Sequence, residues 1–213
     1  MAVATNRWRM SEDGRIGPNA LLQLIPLLDQ AGGAAFRSAL LARAGVFEIP
    51  DGSEMIPEGV AARVHQEMRR SVPDLAPALS WAAGRATADY ILAHRIPPLA
   101  QRVLKVLPAP LSARLLSRAI ADHAWTFAGT GTFRVVSPYC FEIRHNPVIR
   151  DEVSDHPVCD WHAAVFARLY QVLVHRDFVC IETQCATMGG EVCRFELRRD
   201  PSLHFPEIPK STT

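Results

Sequence analysis

Three of the five cysteines, together with one glutamate, read Cys159-x22-Glu182-x2-Cys185-x7-Cys193. Thiolates are soft, strong ligands, and three of them with one carboxylate supply the four donors of a tetrahedral Zn²⁺ shell. Four protein donors leave no position for a substrate, so such a site is structural rather than catalytic. The competing reading is packing, because unpaired cysteine is among the most buried residue types and the chain lacks a CxxC pair. On an ideal strand, positions three apart point to opposite faces, so Glu182 and Cys185 share a ligand set only with a bulge or a strand end between them. Cys180, His156 and His175 therefore stay open as a fourth donor. A Cys₃Glu shell around Zn²⁺ carries a formal charge of about −2, which calls for nearby donors such as Arg194 or Arg176.

The elements that must position these donors can be read from periodicity. A helix is predicted over 159–174, with Trp161, Val165, Leu169 and Val172 at three- and four-residue steps. Cys159 falls at its start, where free backbone N–H groups favour a thiolate. Strands at 178–187 and 191–198 form a hairpin around Met188-Gly189-Gly190, bracketed by Cys185 and Cys193. Two earlier strands, 132–136 and 139–144, flank Ser137-Pro138, and Phe141 and Ile143 alternate with Glu142 and Arg144.

Upstream the chain reads as helices punctuated by proline and glycine. One opens at Pro18, kinks at Pro26 and stops at Gly32-Gly33. It is apolar almost all round, which predicts burial in the core or in a homodimer contact. A second spans 34–44. A third starts at Pro57 with Val60, Val64 and Met68 on one stripe. Asp74 is the expected N-cap of the next, with Leu79, Ala82, Ala83, Ala86, Tyr90 and Ile91 turned inward. Amphipathic pieces at 99–107 and 111–123 follow. The order predicts an α+β fold, a helix-rich N-terminal part packed on a four-stranded antiparallel sheet. Residues 1–16 form an N-terminal extension, 17–200 a single ligand-binding domain whose strand-rich part is 125–199, and 201–213 an irregular tail.

A chain of 213 residues with 48% hydrophobic content can bury one substantial core. Its net charge of +1, from 23 basic and 22 acidic residues, gives no electrostatic reason to expect nucleic acid or an anionic membrane as partner. The amino terminus has no apolar signal region and no stretch reaches membrane-span length. An odd number of cysteines without a signal argues for a reducing compartment, so a cytoplasmic protein is expected.

Cys159, Glu182, Cys185, the Gly189-Gly190-Glu191 turn and Cys193-Arg194-Phe195 give the carboxy-terminal part its likeness to a known family. It resembles the 4-vinyl-reductase domain family, a small-molecule-binding module. The resemblance implies a structural zinc on Cys159, Glu182, Cys185 and Cys193. It also implies a fold similar to haem-type nitric-oxide sensors and small vesicle-tethering subunits, proteins that often dimerise. The segment Trp125-Thr126-Phe127-Ala128-Gly129-Thr130-Gly131-Thr132-Phe133 is similar to the members that serve bacteriochlorophyll biosynthesis. That likeness implies a magnesium tetrapyrrole as ligand, such as divinyl protochlorophyllide or a Mg-porphyrin precursor. Magnesium chelatase and the Mg-porphyrin methyltransferase are then the implied partners.

Reduction of a vinyl group needs an electron source, and the sequence offers no motif for one. Gly129-x-Gly131 lacks the third glycine of a dinucleotide fingerprint, and the cysteines lack ferredoxin spacing. A carrier needs only an apolar pocket and a few polar groups. Candidate walls are Trp81, Tyr90, Trp125, Phe127, Phe133, Phe141, Trp161 and Phe166. His94 and His123, then His145 and His162, are candidate axial donors to magnesium, and Arg85, Arg95 and Arg134 candidate partners of propionates. The expectation is a tetrapyrrole-binding accessory protein that promotes 4-vinyl reduction. The alternative is a genuine 4-vinyl reductase fed by an external donor.

Overall fold

Proline and glycine set the boundaries of the helical half, as the computed structural model, which describes residues 14–202, makes plain. A two-stranded ribbon pairs β1 (Arg15–Ile16) with β2 (Ile56–Pro57) around α1 (Asn19–Leu22) and α2 (Ile25–Arg43). Then come α3 (Glu58–Ser71), α4 (Ala76–His94), α5 (Pro98–Val106), α6 (Ala109–Asp122) and the one-turn α7 (Trp125–Ala128). The sheet half runs β3 (Thr132–Ser137), β4 (Cys140–Arg144), α8 (Asp160–Leu173), β5 (Phe178–Gln184) and β6 (Val192–Arg199). The architecture is α+β, as the element order implies. The four strands are antiparallel in the order β3-β4-β6-β5.

Several local expectations are refined. Pro26 sits in the first turn of α2 and opens that helix rather than kinking one already under way; its missing N–H would have no partner there in any case. The break comes at Gly33, whose φ of 77° and ψ of 175° leave helical space. Asp74 is not the N-cap of α4: that position is Leu75, and Pro77 fixes the first turn. The ribbon was not anticipated, because two residues per strand carry no readable periodicity. It joins Arg15 and Ile16 to the body, just ahead of the expected boundary at 17. Residues 1–13 of the expected extension and 203–213 of the expected tail lie outside the described residues.

The core lies between α8 and the sheet, and between α8 and α4. Phe166 of α8 meets Phe141 of β4 at 5.1 Å and Phe195 of β6 at 5.4 Å, both edge to face. This geometry matches the aromatic quadrupole and adds to the gain from burial alone. On its other side α8 packs on α4 through a close approach at Gly84. A Cβ there would lie 2.7 Å from the Ala164 side chain and collide with the Trp161 carbonyl. The inward stripe of α4 is accordingly small at its centre, with Ala83, Gly84, Thr87 and Ala88 buried, while Ala82, Ala86, Tyr90 and Ile91 are half-buried.

The glycine-rich segment has a structural use. Glu58, at the start of α3, is fully buried. It accepts hydrogen bonds from Thr130 N at 2.8 Å and Thr130 Oγ1 at 2.6 Å, and is paired with Arg150. A buried carboxylate is tolerated only when so satisfied. Gly129 has φ of 51°, and a side chain there would strike the Glu58 carboxylate. Gly131 passes so close to β4 that a Cβ would lie 2.6 Å from the His145 carbonyl oxygen. Gly129-x-Gly131 thus wraps the chain onto a buried acid.

No helix among the described residues is long and apolar enough to cross a membrane. Overpacking a tight helix contact costs about 1–3 kcal/mol, so Gly84→Ala should lower stability by about that much in urea unfolding. Gly190→Ala, whose added carbon would meet nothing nearer than 3.5 Å, should stay within about 0.5 kcal/mol of the parent. Equal effects would contradict the close α4–α8 approach.

Candidate metal centre

Cys159 is the N-cap residue of α8, and Cys193 is the second residue of β6. Cys185 directly follows β5 and opens a 3-10 turn (Ala186–Met188) that closes at Gly189 with φ of 88°. The parity conflict between Glu182 and Cys185 is resolved by a bulge. Glu182 pairs with Phe195 and Gln184 with Arg194, so Thr183 is the extra residue. The bulge turns both side chains to the side where Cys159 and Cys193 lie.

The structure brings the four candidate ligands together, their donor atoms all within 4.8 Å of one another. Cys159 Sγ is 3.6 Å from Cys193 Sγ and 3.9 Å from Cys185 Sγ. Tetrahedral zinc with Zn–S bonds of about 2.3 Å has S···S edges of about 3.8 Å, whereas a disulfide requires about 2.05 Å. All five cysteines are free. Glu182 Oε2 accepts the Cys159 backbone N–H at 2.8 Å. Its other oxygen, Oε1, is buried without a hydrogen-bond partner. Such an orphan costs about 1–3 kcal/mol or more when left unpaired, and a cation in the cluster would satisfy it. The donor set and its spacing therefore fit Zn²⁺.

Two supporting residues escaped the sequence reading. Asn146 Nδ2 donates towards Cys159 Sγ at 3.4 Å and Cys193 Sγ at 3.8 Å, and its Oδ1 accepts from Val148 N. Thr187 Oγ1 donates to Cys185 Sγ at 3.1 Å. These donors spread the negative charge of a thiolate shell, the task assigned in sequence to Arg194 or Arg176. Arg194 instead pairs with Glu142 and Glu196, and Arg176 with Asp177. Of the rival ligands, Cys180 is buried in the ladder opposite Leu197, His156 is exposed beside Asp155, and His175 pairs with Asp177.

Without a cation the four donors must share protons. Hydrogen bonds from Cys159 and then Cys193 hold the Cys185 thiol far below its ordinary range. Burial pushes the Cys159 thiol well up. Cys193 is pushed up to about 12: the Cys159 hydrogen bond opposes the rise, and its own bond to Cys185 together with burial outweighs it. Burial, then the Cys185 thiolate, raises the Glu182 carboxyl to about 8. A divalent cation removes this conflict by displacing the protons.

The candidate pocket residues divide among separate places. Phe127 and Trp161 meet His162, with ring centroids 6.1 and 4.8 Å away, and Phe195 adds a third wall at 5.9 Å. His162 is 1% exposed. Both its ring nitrogens, Trp161 Nε1 and His65 Nδ1 lack hydrogen-bond partners. Phe133, Phe141 and Phe166 pack on one another beside this group, and Trp81 is buried on α4. Tyr90 lies against His94 at 4.7 Å, at the exposed end of α4, with Arg95 over the Tyr90 ring. His123 is exposed, its Nδ1 2.8 Å from the Ala119 carbonyl oxygen, and Trp125 is 60% exposed. His145 is exposed with φ of 52°. Arg85 reaches Gln171 and Arg134 pairs with Glu142. Helical spacing marks these aromatics as face residues without saying which face looks inward, which is why the reading in sequence grouped them.

Two outcomes follow. Purified protein should carry about one zinc per chain by elemental analysis. That metal should be lost in Cys159→Ala, Cys185→Ala and Cys193→Ala and kept in Cys140→Ala and Cys180→Ala; loss in the last pair would contradict the ligand set. Burial depresses the imidazoles of His65 to about 4 and of His162 to about 3. The unfolded chain takes up these protons first, near pH 6.5, so their contribution is complete above that pH. It is lost as pH falls through the folded values. Stability measured by denaturant across this window should fall with acid, and His162→Phe should flatten the slope by about one proton.

Comparison with known proteins agrees with this geometry. Residues 140–199, which contain all four cluster residues, match the 4-vinyl-reductase domain family. A protein of Cereibacter sphaeroides named bacteriochlorophyll synthase 23 kDa chain is 54% identical over 185 residues, 86% of this chain and 90% of the relative. Its namesake in Rhodobacter capsulatus is 46% identical over 188 residues, 87% and 88% of the two chains. Among solved structures, one from a study of heme distortion in the H-NOX family aligns with a TM-score of 0.52 at 9% identity, over 90% of this chain and 100% of its own. An unliganded Fe(II) H-NOX mutant from K. algicida gives 0.53 at 7% identity, over 88% and 98%. These two likenesses are of fold. On the identity and coverage of its relatives, the chain belongs to the bacteriochlorophyll synthase 23 kDa chain family, with a 4-vinyl-reductase domain at residues 140–199.

Proposed function

We propose that this protein is a cytoplasmic, tetrapyrrole-binding accessory protein of bacteriochlorophyll biosynthesis. It holds a Mg-porphyrin or divinyl protochlorophyllide intermediate and promotes 4-vinyl reduction without itself carrying the reductant. The observation that carries the reading is that its chemistry-bearing motifs are spent on structure, in a chain 54% identical to a bacteriochlorophyll synthase 23 kDa chain. The sulfur cluster has four converging donors, and the glycine segment wraps the buried Glu58. Zn²⁺ held by Cys159, Glu182, Cys185 and Cys193 would supply a fixed positive charge and a cross-link, with no coordination position left for substrate.

Ligand contacts fall first on Phe127 and Trp161, which surround His162. Its unpartnered nitrogens, with those of Trp161 and His65, are donors and acceptors that native interiors rarely leave alone. Such a group in an aromatic setting suits an apolar ring system bearing a few polar atoms. Trp81 lies in the buried layer beside them, while His94, Tyr90, His123 and Trp125 belong to the rim of any such site. Magnesium chelatase and the Mg-porphyrin methyltransferase are the partners this role calls for, since one makes and the other consumes a Mg-porphyrin. A homodimer is the proposed assembly.

Anaerobic titration with divinyl protochlorophyllide, followed by NADPH and reduced ferredoxin, tests the reading. Binding with the vinyl spectrum unchanged is expected, weakened about tenfold by His162→Ala (about one lost hydrogen bond) and little altered by His94→Ala. More than one turnover to the ethyl product would establish the reductase alternative instead. Absence of binding would remove the carrier role.

A further inference from the structure

The balanced charge of the whole chain conceals a local segregation. Between Tyr90 and Ala121 there is no aspartate or glutamate, while Arg95, Arg102, Lys105, Arg114 and Arg118 all fall there. The chain has 22 acidic residues in all, so such a run is not expected from scattered charges. All five cations are exposed. Elsewhere arginines are neutralised, as Arg69 is by Glu152, Arg134 by Glu142 and Arg168 by Asp89.

The same segment carries apolar side chains that packing does not use. No residue of α5 is buried. Leu99, Val103 and Val106 follow i, i+4, i+7 spacing, which places them on one helical stripe, and they are 71%, 44% and 82% exposed. On α6, Leu111 and Leu115 are each 45% exposed at i, i+4, and Trp125 stands out just beyond. Prolines at 97, 98, 108 and 110 delimit the two helices. Ser112 Oγ donates to the Leu104 carbonyl and ties them together. Outward leucine and valine, interleaved long cations and a nearby tryptophan are the composition of a helix lying in a bilayer interface. The aliphatic stems of Arg and Lys can follow the apolar face while their heads reach phosphate.

We propose that the α5–α6 hairpin docks on an anionic lipid surface. Charge decides between occupants. A second copy meeting this face with its own would set five cations against five. Segments 1–13 and 203–213 hold as many basic as acidic residues, two of each and one of each, and bring no complementary charge. Anionic headgroups supply it, at about 1 kcal/mol for each Lys or Arg near the surface, and the acyl boundary accepts the leucine and valine side chains. The proposal does not depend on which pigment the protein binds.

Co-sedimentation of the full chain with vesicles tests it, using phosphatidylglycerol mixed into phosphatidylcholine against phosphatidylcholine alone. Binding to the anionic vesicles is expected, falling as salt is raised, with little on the neutral ones. Arg102→Gln with Lys105→Gln should weaken it by about tenfold or more, and so should Leu99→Gln with Val106→Gln. The fold should survive by circular dichroism, because these side chains are exposed. Equal binding to neutral vesicles, or none to either, would overturn the proposal. So would a self-association in solution that the Leu99→Gln, Val106→Gln variant abolishes, which would assign the face to a second copy.

Discussion

The meeting of the first turn of α8 with the β5–β6 hairpin is the constraint on which the rest of the sheet half depends. Three thiols and a carboxylate are confined within one small volume, and no arrangement of protons alone satisfies them. One thiol is held far down, two are pushed up, and Glu182 is raised to about 8 while one of its oxygens stays unpartnered. A divalent cation is the species that makes the arrangement favourable. Once α8 is fixed at that end, its length carries Trp161, His162, Phe166 and Tyr170 between α4 and the sheet. The aromatic interior is then a consequence of where the helix is anchored.

That interior unites fold and proposed role. Gly84 lets α4 and α8 close tightly, and the rings of β4 and β6 fill the other side. Amid this dense packing the nitrogens of His65, Trp161 and His162 remain without partners, a cost that stability alone does not explain. The 4-vinyl-reductase domain family and the bacteriochlorophyll synthase relatives give that local tension a chemical context, an apolar ring system with polar points. The same chain exposes apolar and cationic side chains on α5 and α6, so its interior and its surface address different partners.

Much of this was legible in the residues. Cysteine spacing named the cluster, and the parity of Glu182 and Cys185 demanded the bulge that Thr183 supplies. Prolines and glycines bounded the helices, although a proline that opens a helix and one that kinks it look alike until the preceding turn is known, as at Pro26. Asn146 and Thr187 carried no signal, because a donor to sulfur is defined by approach in space and not by spacing. Trp125 and Trp161 are the same residue type on helices, and only the packing direction of α7 and α8 separates an exposed ring from a buried one. Net charge, a sum over the chain, erased the one-sign run on α5 and α6 that a windowed reading would have found.

Hydrogen exchange of the metal-loaded protein, before and after chelation, addresses the central claim most directly. If a cation joins α8 to the hairpin, chelation will raise exchange together at the first turn of α8 and in residues 184–193, while α3 and the middle of α4 keep their protection. An exchange pattern unchanged by chelation, or a rise in only one of the two elements, would contradict the account.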